Sequence, residues 1–193
     1  MLATNDVALK EWAIVDQYVG SGRQVVLLRK GGIHERKGGF EVERREFFLF
    51  PTYTHQKVED LAPEVRADFE ALAAAAPADR TVTLRHYAVV DAVVTATSID
   101  PLRDLADHHI LSWPAVEGRF WYRNRPGLHA VLVRAYRLPR PMTIVNREAY
   151  DGCVSWVELE RRLPTAGSAP VLDDAEFARR AEAVRRILAP AAA

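Results

Sequence analysis

The sequence has little from which to build a disulfide, a metal cage or a membrane span. Its one cysteine, Cys153, leaves no intramolecular disulfide and no CxxC zinc half-site, a usage that favours a reducing cytoplasm. Neither sign of charge is in excess, since 26 Lys and Arg balance 26 Asp and Glu. With no global field, any attraction to nucleic acid or an anionic membrane must come from local clustering. Nowhere do about 18 apolar residues run together, and the opening MLATNDVALKEW has no basic segment followed by an apolar one. Neither export nor membrane insertion is therefore expected. The GxSxG elbow, the GxxxxGKS/T phosphate loop, the GxGxxG fingerprint and HExxH are all missing, and no cofactor or metal is expected.

What remains is an ordinary globular composition over 193 residues, 49% hydrophobic and 27% charged, enough for one core. Residues 1–162 read as a single α+β domain, 163–170 (LPTAGSAP) as a linker, and 171–193 as a carboxy-terminal helix and tail. Apolar spacing predicts a helix over Val7–Val19, although Ala13, Val15 and Gln17 could also open a hairpin strand. Gly20-Ser21-Gly22 signals a turn, Gln24–Leu28 a strand, and the glycine-rich, charged stretch Gly31–Gly39 a loop that is mobile or shaped around something. Glu46–Phe50 is a buried strand closed by Pro51, which has no N–H to continue a central ladder. A helix is predicted over Pro63–Ala76, and over Val82–Ala96 one long strand or two with a bend near Asp91. Another helix starts at Asp100 as cap and Pro101 as first residue. Leu128–Leu138 reads as a strand between Pro126 and Pro139. In Asp173–Leu188, Phe177, Ala181, Val184 and Leu188 share one helical face. Without regular βαβ alternation, the fold expected is α+β around a small curved or barrel-like mixed sheet with flanking helices.

Chemistry-bearing residues are few. Glu41 and Glu43 would share a strand face with Glu46 nearby, as a metal-dependent nuclease needs, but a solvated charged edge has the same pattern. A Nudix-like reading of GGIHERKGGFEVERREF fails because Phe47–Phe50 replaces the glutamates that would hold magnesium. Asp104 and His108 could touch on a helix, with His109 beside them, as a surface ion pair rather than a metal site. His55 could contact a ligand or be satisfied by a turn carbonyl. The strongest compositional signal is Gly118–Arg147, which carries Arg119, Arg123, Arg125, Arg134, Arg137, Arg140 and Arg147, the aromatics Phe120, Trp121, Tyr122 and Tyr136, and no acidic residue. Guanidinium groups pair with phosphates and aromatic faces stack on bases. The alternative is that Phe120 and Trp121 are core and the arginines pair with the acid-rich segment Glu148–Glu160.

LLRKGGI (Leu27–Ile33), REFFLFPTYTHQ (Arg45–Gln56), RAYRLP (Arg134–Pro139) and GCVSW (Gly152–Trp156) together resemble an uncharacterised bacterial domain-of-unknown-function family, of DUF1802 type. More loosely, Gly22–Arg29 is similar to the GxKxxExR element of ASCH domains, which have a PUA-like barrel associated with RNA or modified bases. Gly22 and Arg29 match that element, while Gln24 and Leu27 replace its lysine and glutamate. The resemblance implies that Tyr87–Thr95 and Leu128–Leu138 complete a barrel whose pocket is lined by Arg29, Lys30 and the FPT loop.

The reading that follows is a binding module for RNA, DNA or a nucleotide-like small molecule. Arg29, Lys30, Gly31 and Gly32 would contact phosphate, Thr52, His55 and Gln56 would line the pocket, and Trp121, Tyr122, Arg123, Arg134 and Arg137 would stack or clamp. The glycines equally suit a tight turn alone. An enzyme acting on a phosphorylated or nucleic-acid substrate, with Glu43, Glu46 and His55 as acid–base groups, is the second reading. A structural protein docking through its carboxy-terminal helix is the third.

Overall fold

In Thr4–Trp12 the consecutive residues Ala8 and Leu9 are both buried, at 0% and 3% exposure, and they enter different core clusters. Only a strand covered on both faces does this, so the segment forms β1, and the expected helix is confined to α1, Ala13–Gly20. Double-sided burial gave a near-continuous apolar run that resembled helical spacing. The computed structural model describes residues 1–30, 35–36, 39–40, 44–152 and 154–189. The further elements are β2 (Val26–Arg29), β3 (Glu35–Arg36), β4 (Gly39–Phe40), β5 (Glu46–Thr52), α2 (Arg66–Ala74), β6 (Thr81–Ala96), α3 (Asp100–Arg103), α4 (Trp113–Phe120), β7 (Leu128–Val145), β8 (Trp156–Pro164), β9 (Ala169–Pro170) and α5 (Asp174–Leu188).

The fold is α+β. Its mixed sheet runs β2-β7-β6-β5-β1-β8, with β9 added to β7, while β3 and β4 pair separately. Among the described strands only β1 and β5 pair in parallel. The sheet is not closed: β2 and β8 are its ends, so the barrel stays open. Two register shifts interrupt the pairing of β6 with β7, at Leu84/His86 and Val90/Ala92. A bulge moves the following side chains to the other face. Thus Val82 and Leu84 enter one cluster, Ala88 and Val90 the cluster on the opposite face with α1, and Ala92, Val94 and Ala96 a third with α3, α4 and α5. The bend expected near Asp91 is the second of these shifts.

Two prolines expected to end strands do not. Pro51 lies inside β5, which pairs with β6 only over Glu46–Phe48 and beyond that with β1 alone, so its missing N–H costs no bond on the unpaired side. Pro139 lies inside β7, in the four residues 138–141 that stand opposite Arg85 at the first register shift. Asp100 is the first residue of α3 rather than its cap, and Ile99 precedes it with helical backbone angles. The segment 163–170 carries the end of β8 and all of β9. Thr165, fully buried, donates its backbone N–H to Ala3 O at 3.0 Å, and α5 packs Phe177, Ala181, Val184 and Leu188 into the cluster formed by β2, β6 and β7.

Candidate functional site

β1 and β5 are parallel and end at Trp12 and Thr52, and Arg29, the last residue of β2, borders the same cavity. Although β1 and β2 are not hydrogen-bonded neighbours, the Arg29 guanidinium closes the interval between them. It donates to Lys10 O at 3.0 Å and to the Glu11 carboxylate, and the two ionic side chains are only 14% and 10% exposed. Arg119 of α4 enters the same interval, donating to Leu28 O at 3.0 Å with its guanidinium 5.0 Å from the Trp12 ring centre. Burial pushes the Arg119 pKa down, against the attraction of Glu11. A polar clasp therefore ties β2 and α4 to β1, with which β2 shares no ladder.

Above the clasp lies a two-lobed cleft, its lobes sharing Trp12, Lys30 and Arg119. One lobe, about 460 Å³, is bordered by Glu11, Arg29, Thr52 and His55. The other, about 640 Å³, is bordered by Asp60, Pro114, Tyr122, Arg123 and Arg125. The second lobe is shaped by residues 121–127, where Arg123 and Asn124 adopt left-handed φ of 56° and 54°. Lys30 pins this turn, donating its ammonium protons to Phe120 O at 2.9 Å, Gly127 O at 2.8 Å and Arg125 O. Desolvation, then repulsion from Arg125, lowers its pKa. All three Lys30 donors are thus engaged, and its charge shapes the loop from beneath. On the loop, Trp121 and Tyr122 are 49% and 53% exposed, and the Arg123 guanidinium lies 5.2 Å from the Tyr122 ring centre. Neither Arg123 nor Arg125 forms an ion pair with any described residue.

Residues 8–183 match the family described as a domain of unknown function, DUF1802. The chain belongs to this family. It is also similar to the crystal structure of ASCH from Zymomonas mobilis, at 13% identity over 91% of this chain and 92% of that one, with a TM-score of 0.46. Two mutant forms of that protein give 13% and 12% identity over 91% and 94% of this chain, 96% and 98% of theirs, each with a TM-score of 0.46. Among curated proteins nothing matches.

In this member of the family, the residues singled out from the sequence fall in several places. Arg29, Lys30, Thr52, His55, Tyr122 and Arg123 border the one cleft, whereas the exposed Trp121 lines neither lobe. Thr52 donates its hydroxyl to Glu11 O at 3.0 Å. Gln56 accepts the Ile14 N–H at 3.2 Å and so holds the start of α1. Arg134 bonds Asp174 at the start of α5 and lies 5.6 Å from the Phe177 ring centre, while Arg137 reaches Gly20 O at 3.4 Å. The acid-free stretch is therefore divided: its first arginines face the cleft, and Arg147 pairs with Glu160 at 2.5 Å. Gly31, Gly32, Glu41 and Glu43 lie outside the described residues. Glu46 accepts the Leu2 N–H at 2.7 Å and the Tyr87 hydroxyl at 3.0 Å. It sits at the opposite end of β5 from Thr52, about 20 Å away along the strand, so it does not face His55. Asp104 follows α3 and His108 lies in a separate 3₁₀ turn, so the pair shares no helix. Among the described residues no group of three or more His, Cys, Asp or Glu could hold a metal ion, and no helix is long and apolar enough to cross a membrane.

Trp12, Glu11, Arg119 and Arg125 were not singled out as site residues. The helical reading of the first segment concealed Trp12 and Glu11, whereas Arg119 and Arg125 belonged to the acid-free stretch already noted.

Proposed function

We propose that the cleft binds single-stranded nucleic acid or a nucleotide-like ligand, in the cytoplasm that the cysteine usage favours. The observation that carries this reading is the pinned 121–127 loop, which presents exposed Trp121 and Tyr122 beside Arg123 and Arg125 at the mouth of the 640 Å³ lobe. Aromatic faces stack on any base at about 1–3 kcal/mol each, and guanidinium groups pair with phosphate through a fixed fork of donors. Arg29 and Lys30 support the site rather than bind phosphate, because their donors are turned to Glu11 and to the loop carbonyls. His55 and Thr52 border the inner lobe, where a base or sugar edge would enter.

The test is fluorescence anisotropy with labelled ten-nucleotide RNA and DNA strands over a salt series. If Arg123 and Arg125 each neutralise one phosphate, log K falls with log salt at a slope of about −1.4, and Arg123→Ala reduces that slope by about 0.7. Tyr122→Ala weakens binding by roughly tenfold or more without changing the slope. Binding that is absent, or unaffected by both substitutions, refutes the proposal.

A further inference from the structure

Another cavity, of about 380 Å³, shares no lining residue with either lobe of the cleft. Its floor is an ionisable pair from two elements: His86 Nδ1 of β6 lies 2.8 Å from Asp16 Oδ1 of α1, the residues being 8% and 5% exposed. A carboxylate only accepts, so Nδ1 carries a proton, and the Nε2 edge of the ring is left for another partner. The imidazole rests on Gly20, where an added Cβ would stand 2.1 Å from its Cε1. Nε2 has no partner among the described residues and is not among the fully enclosed unpartnered atoms, which leaves it open to the cavity that His86 lines. Arg85, Arg137 and Tyr53 stand at the exposed side of the same cavity, and Pro51, Leu72 and Pro77 give it an apolar wall. Arg85 forms no ion pair with a described residue, and the described polar contact of the Arg137 guanidinium is the 3.4 Å bond to Gly20 O.

Two guanidinium groups, an imidazole nitrogen oriented by a carboxylate, and an apolar wall select among anions. A carboxylate has only two oxygens, which a single guanidinium fork engages. A phosphate monoester has three terminal oxygens and is largely dianionic at neutral pH, so it can accept from both guanidinium groups at once. We infer that this cavity is a second ligand site, separate from the cleft, that takes a small phosphate monoester whose organic part lies against Pro51, Leu72 and Pro77.

The test uses the full chain with phenyl phosphate, inorganic phosphate and benzoate, followed by calorimetry and by nitrogen NMR of the histidine side chains. The expected result is saturable phenyl phosphate binding that shifts His86 Nε2, with inorganic phosphate and benzoate both weaker. Arg85→Gln and Arg137→Gln, which leave the Asp16–His86 pair untouched, each weaken it by roughly tenfold. Arg123→Gln in the cleft leaves it unchanged, so failure here and failure of the cleft reading are separate results. No saturation at millimolar phenyl phosphate, benzoate or inorganic phosphate binding as tightly, or affinity indifferent to both arginine substitutions would overturn the inference.

Discussion

Replacing Arg29 by Met tests whether the polar clasp holds β2 to β1. The guanidinium is 14% exposed and Glu11, its partner, 10%. Removal strands a carboxylate in a nearly dry site and takes a donor from Lys10 O. Breaking a buried pair from one side costs about 3–5 kcal/mol. Arg119, the remaining cation attracted to Glu11, offsets part of this, so the lower end, about 3 kcal/mol, is expected. With a urea dependence of about 2 kcal/mol per molar for a chain of this size, the unfolding midpoint falls by about 1.5 M. Arg29→Met with Glu11→Gln removes both charges and recovers most of the loss. Tryptophan fluorescence and far-UV circular dichroism over a urea series give both midpoints. A shift below about 0.5 M, which is what an exposed pair gives, or a double variant no more stable than the single one, would refute the argument.

His109 supplies a pH test. Burial, then repulsion from Arg119 and His108, pushes its pKa from 6.5 down to about 4, and its Nδ1 accepts the Leu111 N–H at 3.1 Å. The unfolded chain therefore binds the proton first. The stability of the neutral buried ring is complete above about pH 6.5 and lost as pH falls toward 4, to the extent of roughly 3 kcal/mol. His109→Asn keeps an acceptor for Leu111 and should flatten the stability profile between pH 4 and 6.5; an unchanged slope there would count against it. Gly20→Ala drives a methyl to 2.1 Å from a ring fixed by Asp16 and should cost about 1–3 kcal/mol, with wild-type thermal stability as the contrary result.

Much of the secondary structure was legible because its causes are local. The face of Phe177, Ala181, Val184 and Leu188 and the capping residue Asp173, which accepts the Glu176 N–H at 2.8 Å, define α5 without reference to the rest of the chain. The Glu46–Phe50 and Val82–Ala96 strands were readable from β-branched and aromatic runs, and the register shift near Asp91 from a charge interrupting one. β1 was misread because burial on both faces erases the alternation that marks a strand. The prolines of β5 and β7 misled for a related reason: whether a missing N–H matters depends on which neighbour lies alongside, and a strand's partners are not written in its own residues.

Composition and motif absence by themselves determined an α+β chain with no recognisable catalytic signature and one stretch rich in arginine and aromatics. Only the tertiary structure decided which of those arginines lie together. Long-range pairing of β6 with β7 turned Arg134 toward α5 and Arg137 toward α1, while Lys30 drew the 121–127 loop over the cleft. The physical reason is that a guanidinium or ammonium group takes its role from the carbonyl or carboxylate within about 3 Å of it, and such partners are supplied by segments far away in the sequence.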